Sequence, residues 1–198
     1  MNRTDICNMA LSFISRQRID SFDDGSEEAK HCKIYYEHTR KRLLKMYNWN
    51  FAQKMERLAL RTDEAPGWKY VYGYPQQCLA VQFVFDENHA CSREMNRQEY
   101  RIITLSGNDK VIATNVDEAW VEYIQDVVNT ETFSEEFIEA LARMLAANLS
   151  APLTGSTDLF NINMQLAQSA IAMAMQENVT ESERKTQWPR KYSEARFR

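Results

Sequence analysis

The apolar residues of this chain recur at helical spacing near both ends and at every second position in the middle. That change of period constrains the fold more than any other feature. Over about 4–48 the pattern is helical. Thr4 is the expected cap of a first helix with apolar positions at Ile6, Cys7, Met9, Ala10, Phe13 and Ile14. A polar turn over 20–26 follows. Ser26 then reads as an N-cap, with Glu27 and Glu28 in the first turn, where the helix dipole favours anions. The second helix is expected to run to about Tyr47. Ala29, Cys32, Tyr36, Leu43 and Met46 share its apolar stripe, and Tyr35 and Leu44 widen it. Arg40, Lys41, Arg42 and Lys45 occupy its last turns, which suits the negative end of the dipole.

Between about 50 and 130 the period is two. Trp68, Tyr70, Tyr72 and Tyr74 alternate, as do Leu79, Val81, Phe83 and Phe85. Two further runs, 99–105 and 110–114, flank the hairpin turn Ser106-Gly-Asn-Asp109, and 119–124 is another strand. Helix returns after Thr132-Phe-Ser-Glu135, a capping-box pattern in which Ser134 is the alternative cap. Phe137, Leu141, Met144, Leu145 and Leu149 form one stripe with Asn148 at its edge, and Pro152 and Gly155 end the helix. A fourth helix starts near Ser156 or Thr157. Leu166, Ala167, Ala170, Ile171 and Ala174 define its apolar face, extended by Leu159 and Ile162.

A two-helix hairpin alone hides too little surface, so the terminal hairpins are expected to pack on each other. The fold class is therefore α+β. The expectation is an antiparallel helical bundle from the N- and C-terminal helices (1–49 and 131–180), a β-rich insertion (50–130) and an extended C-terminal arm (181–198).

Several function classes are disfavoured. The longest apolar run, Ala170–Met175, is far short of the roughly 20 residues a bilayer requires. Arg3, Asp5, Arg16, Arg18 and Asp20 interrupt any signal-peptide core, so Cys7, Cys32, Cys78 and Cys91 are expected to be thiols in a cytoplasmic setting. A formal net charge of -4 fits poorly with wrapping nucleic acid, whose affinity comes from neutralising phosphates. His31-Cys32 and His89-Ala-Cys91 supply too few ligands for a metal site. P-loop, dinucleotide-binding, zinc-protease and nucleophile-elbow motifs are missing from the sequence. A glycosidase carboxylate pair needs no motif, but Asp23 with Asp24 and Glu135 with Glu136 read more simply as helix-entry charges. No catalytic, cofactor-binding or metal-ligating residue is assigned, and the chain is read as a non-enzyme.

Interaction residues stand out instead. The ladder Trp68, Tyr70, Tyr72 and Tyr74 is expected to be one face of a sheet, packed on a core or on a neighbouring subunit, with a sugar- or base-stacking platform as the alternative. The basic cluster Arg40, Lys41, Arg42 and Lys45 is read first as a solvated helix end and next as an intersubunit surface, with nucleic-acid contact as the remaining alternative. The stretch 181–198 holds six basic and three acidic residues with Trp188, Tyr192 and Phe197, residue types that anchor interfaces. Trp188, Pro189, Arg190, Lys191, Tyr192, Arg196, Phe197 and Arg198 are thus expected to form an arm that orders on a partner.

The first third of the chain carries a set of pieces in order: Cys7-Asn-Met-Ala-Leu11, Ile19-Asp-Ser21, Asp23-Asp24, Ser26-Glu-Glu-Ala29 with Cys32, Tyr35-Tyr36, Thr39-Arg40, Leu43-Leu44 and Trp49-Asn-Phe-Ala52. Gly67-Trp-Lys-Tyr70, Tyr74-Pro75 and Cys78-Leu79 follow. With these pieces the chain resembles the tail adaptor family of short-tailed bacteriophages, the tail tubular protein A or head-to-tail adaptor group. The resemblance covers about the first 85 residues and the overall helix–strand–helix order. It departs at Ile14-Ser15, where the family has Leu-Gly, so the first turn is expected to be built differently.

The resemblance implies a virion structural protein, assembled in the host cytoplasm and located in the neck of the tail. Such adaptors form a homo-oligomeric ring, a dodecamer, that joins the portal protein to the tail nozzle protein. DNA passes through the lumen without sequence-specific binding, and no membrane or cofactor is involved. The arm would contact the portal and the strand insertion the nozzle. The alternatives are an adaptor that also hydrolyses cell-wall or capsule polysaccharide, as some relatives do, and an unrelated cytoplasmic oligomeric helical protein.

Overall fold

Each α-helix among the described residues opens on a side chain that takes up a backbone N–H the helix itself cannot satisfy. The computed structural model describes residues 1–86 and 97–181. Helix α1 (Arg3–Ser12) starts at Asn2, whose side chain accepts from Asp5 N at 2.9 Å, while Asp5 accepts from Asn2 N at 3.0 Å. Thr4, the expected cap, lies inside the first turn because this reciprocal box satisfies two donors at once. Helices α2 (Glu27–Met46), α3 (Glu135–Thr154) and α4 (Thr157–Thr180) begin at Ser26, Ser134 and Ser156. Their hydroxyls accept from Ala29, Phe137 and Leu159, each at 3.2 Å. Thr132 instead ends a short 3-10 turn over Thr130–Thr132.

The turn after α1 keeps a left-handed residue without glycine. Ser15 has φ 56°, its N–H donates to Ser12 O at 3.2 Å, and Arg16 N donates to Leu11 O at 3.0 Å. This is the Schellman arrangement that glycine usually closes. Arg16 helps hold it by donating to the carbonyl of Leu153, near the C-terminus of α3. Gly155 (φ 66°) caps α3, and Pro152 is accommodated within the last turns instead of stopping the helix.

The described residues form a mixed α+β protein with four helices and two small antiparallel sheets. Side chains from all four helices share one apolar core, including Ile6, Cys7, Cys32, Leu43, Leu141, Leu145, Ala167 and Ala174. Helix α3 lies at its centre. It touches α1, α2 and α4 and is buried around most of its circumference. Met46, expected on the α2 stripe, is exposed.

The strands are β1 (Gln53–Arg57), β2 (Tyr70–Gly73), β3 (Cys78–Asp86), β4 (Tyr100–Thr104), β5 (Lys110–Thr114) and β6 (Ala119–Gln125). One sheet has the order β1-β6-β3, the other β2-β5-β4. Ala119, Val121 and Tyr123 of β6 pack with Tyr72 and Ile112 of the second sheet, so the sheets share a core. Ile124, on the opposite face of β6, joins the helical core.

Strand β3 does not keep the expected alternation. Bulges between Cys78 and Ala80 and between Val81 and Phe83 each insert a residue. They bring Cys78, Val81 and Val84, three apart, opposite Gln125, Tyr123 and Val121. Leu79 turns toward the helical core instead.

Candidate functional site

The residues singled out by sequence separate into an interior group and an exterior one. Arg40 belongs to the interior. It lies four residues after Tyr36 and three before Leu43, on the buried stripe of α2, and is 1% exposed. Its guanidinium meets Glu37 Oε2 at 2.6 Å and Asp126 Oδ1 at 2.7 Å, and it donates to the carbonyl of Val127. Lys41 adds a contact to Asp126 Oδ2 at 3.1 Å. Burial by itself would lower the pKa of Arg40, but the two carboxylates outweigh it and raise the pKa. Arg40 therefore fastens α2 to the chain just as it leaves β6, with its guanidinium buried within its own subunit. Arg42, two residues on, points the other way and is exposed.

A cluster of rings lies at the same junction. Phe137 at the start of α3 has ring-centre distances of 5.0 Å to Trp49, 4.9 Å to Phe51 and 4.9 Å to Phe133. Trp49 Nε1 donates to Leu43 O at 3.0 Å. Beside the rings, Asn50 N donates to Asn178 Oδ1 at 2.7 Å, and Asn178 Nδ2 donates to Asn48 O at 3.0 Å. The end of α4 is thereby pinned to the segment that leads into β1.

The aromatic ladder is not one surface. Tyr72 is 1% exposed and its hydroxyl donates to Val116 O at 2.9 Å. Tyr70 and Tyr74 flank it against the core between the sheets. Cys78 Sγ donates to the Tyr74 hydroxyl at 3.3 Å, and burial raises the Tyr74 pKa above its ordinary value. Trp68 packs elsewhere, with Ala65, Val71, Val111 and Ala113 on the far side of the second sheet. It lines a surface depression with Asp63, Glu64 and Lys69. The ladder breaks because β2 begins only at Tyr70, so Trp68 precedes the strand and does not follow its alternation.

Helix α4 buries most of the face expected, Ala167, Ala170, Ile171 and Ala174, but not all of it. Asn163, Ala167, Ala170, Ile171, Ala174 and Asn178 are buried. Leu166 and Ile162, assigned to that face by sequence, are 42% and 53% exposed, and Met173 is 64% exposed. Small alanines let α4 approach α3 closely, and Asn178 fixes the rotation through its bonds to Asn48 and Asn50. The sequence signal for the exposed stripe is a scarcity of charge: over 24 residues α4 carries only Asp158 and Glu177.

Cys7 and Cys32 are buried thiols in contact, with Cys7 raised above its ordinary pKa first by its bond to Cys32 and then by burial. His89, Cys91 and the arm residues Trp188, Pro189, Arg190, Lys191, Tyr192, Arg196, Phe197 and Arg198 lie outside the described residues. Among the described residues no group of three or more His, Cys, Asp or Glu is placed to hold a metal ion, and no helix is long and apolar enough to cross a membrane. No protein-family model matches the chain, and no curated protein matches it significantly.

Proposed function

We propose that this chain is a subunit of a head-to-tail adaptor ring in a short-tailed bacteriophage, joining the portal to the tail nozzle. One observation supports the reading: several of the family-like pieces of the first 52 residues contact one another. Asn8, from the first piece, brackets Ile19, from the second. Its Nδ2 donates to Ile19 O at 3.0 Å and its Oδ1 accepts from Ile19 N at 2.8 Å. Cys7 meets Cys32, and Trp49 donates to Leu43. The left-handed Ser15 keeps the type of turn for which the family uses glycine.

In this reading the four helices act as an antiparallel bundle that builds the ring, and the β insertion faces the nozzle. The arm from Trp188 to Arg198 grips the portal. The whole segment 181–198 is net positive, with 18 basic and 25 acidic residues in the rest of the chain. An acidic body suits a conduit through which DNA slides without sticking. The subunit works by fit and assembly in the virion neck, with no chemical step assigned to any residue.

Co-sedimentation with portal rings of the encoding phage tests the proposal. The full chain is expected to travel with the rings and a chain ending at Glu181 to stay in the supernatant. Equal recovery of both forms, or of neither, would refute the role given to the arm. Turnover of cell-wall or capsule polysaccharide by the purified chain would instead favour the adaptor with hydrolase activity.

A further inference from the structure

We propose that Cys7 and Cys32 are a modification site: they close to a reversible disulfide, fastening α1 to α2, once the chain has left the reducing interior of the cell. Contacts on either side of the pair set the two helices in place for it. Arg16, just past α1, lies 3.9 Å from Glu28 at the start of α2. At the other end Arg3 lies 4.7 Å over the Phe22 ring, and Phe22 meets Tyr36 edge-on at 5.8 Å. Arg3 and Cys7 are one turn apart on α1, as are Cys32 and Tyr36 on α2, so each couple shares a helix face. The two faces therefore run antiparallel, with Cys7 opposite Cys32. Both residues are 0% exposed, both belong to the core shared by the four helices, and their thiols touch. A bridge forms where two cysteines already face each other at close range, because little backbone movement is then needed.

The same surroundings delay the reaction. The contact with Cys32, and then burial, keep Cys7 protonated above its ordinary range, and the thiolate is the reacting species. The folded pair thus stays reduced while a thiol pool surrounds it. Helix α1 is only ten residues long, and its local opening admits an oxidant. That oxidant is a low-molecular-weight disulfide. One cysteine gives its proton to solvent and attacks a reagent sulfur, which breaks the reagent S–S bond and expels one thiolate. The other cysteine then loses its proton and attacks the mixed disulfide, forming the Cys7–Cys32 bond and expelling the second thiolate. The protein gives up two electrons and two protons, and the reagent leaves as two thiols. The bridge closes the loop that holds the left-handed Ser15 turn, which restricts the unfolded chain and stabilises the folded one. The inference goes beyond the adaptor reading. Its setting, an oxidising medium met after particle release, rests on that reading, whereas the chemistry is tested on the chain alone.

The test incubates the full chain, purified with its thiols reduced, in oxidised glutathione below its melting temperature. Disulfides are then mapped by mass spectrometry of unreduced peptides. The Cys7 and Cys32 peptides are expected to be joined, with two hydrogens lost. The melting temperature should rise by roughly 5–15 °C, and dithiothreitol should reverse both changes. In a large excess of reduced glutathione the two peptides should stay separate. Cys78→Ser with Cys91→Ser, which leaves Cys7 and Cys32 as the only thiols, should behave as the wild type does. Cys7→Ser should abolish both the joined peptide and the thermal shift. The proposal is overturned if both thiols survive prolonged oxidation, if glutathione stays on either residue without a bridge, if the bridge lowers the melting temperature, or if it persists in excess reduced glutathione. A bridge in a chain that ignores portal rings would support the pair and refute the adaptor reading. Portal binding by a chain whose two thiols never join would do the reverse, so the two fail separately.

Discussion

Arg40 is where the helical core and the β region are joined, and its removal should be the most damaging single truncation of a charged residue. Arg40→Ala deletes a buried guanidinium that meets Glu37 and Asp126 at 2.6 and 2.7 Å and donates to the carbonyl of Val127. Breaking a buried pair by removing one partner costs about 3–5 kcal/mol, because the charge left behind stays desolvated. Asp126 would retain Lys41 at 3.1 Å and is itself 17% exposed, which places the loss near the lower end, at about 3 kcal/mol. For a chain of this size that is a drop of roughly 6–12 °C in melting temperature. Arg40→Met keeps the apolar stem and should lose about 1–2 kcal/mol less, separating packing from charge. Arg42→Ala, on the exposed side of the same turn, should stay within about 0.5 kcal/mol. The assay is urea unfolding followed by far-UV circular dichroism, with midpoints compared at constant slope. A loss below about 1 kcal/mol for Arg40→Ala, or equal losses at 40 and 42, would refute this account. An Arg40→Ala variant of native stability that fails only in binding would return Arg40 to a surface role.

Ser15→Gly should stabilise the chain by about 0.5–1 kcal/mol, since the strain of φ 56° at a serine exceeds the extra backbone entropy glycine loses on folding. A rise in melting temperature of roughly 1–4 °C is expected, and a fall would contradict the turn described. Tyr36, Tyr72, Tyr74, Tyr100 and Tyr123 are each held above the ordinary tyrosine value of 10.0, chiefly by burial. Their folded pKa values exceed their unfolded ones, so this contribution is complete below pH 10 and is lost as pH rises above it. Ionisation of these five should therefore accompany loss of circular dichroism, and a still-folded chain in which all nine tyrosines ionise reversibly near pH 10 would contradict the burial. Asn178→Ala should cost about 1–3 kcal/mol by leaving the Asn50 amide and the Asn48 carbonyl without their side-chain partner, and an unchanged urea midpoint would show that α4 is not pinned there.

Much of the secondary structure was legible, because caps and periods are local. Ser26, Ser134 and Ser156 mark helix starts by chemistry that needs only the next three residues. Tertiary choices were less visible. Strand β1 was missed as a distinct element, since Gln53–Arg57 is a polar edge whose only signal is the partner it pairs with. The bulges of β3 cannot be seen in a run of apolar residues, so the wrong side chains were grouped. Helix α4 is apolar around much of its circumference, so periodicity placed Ala167, Ala170, Ile171 and Ala174 on the buried face but drew the exposed Leu166 and Ile162 in with them. Asn178, which pins the buried face, bonds to residues 128 and 130 positions away. Arg40 was the opposite case: its spacing from Tyr36 and Leu43 already placed it on the buried stripe, but its charge suggested the surface.

Electron microscopy of the chain mixed with portal rings of its phage tests the central claim most directly. The account predicts a second ring of this protein stacked coaxially on the portal, with density for residues after Glu181 running along the portal wall. Portal rings that remain bare at saturating chain, or a chain that binds as a single copy away from the axis, would contradict it.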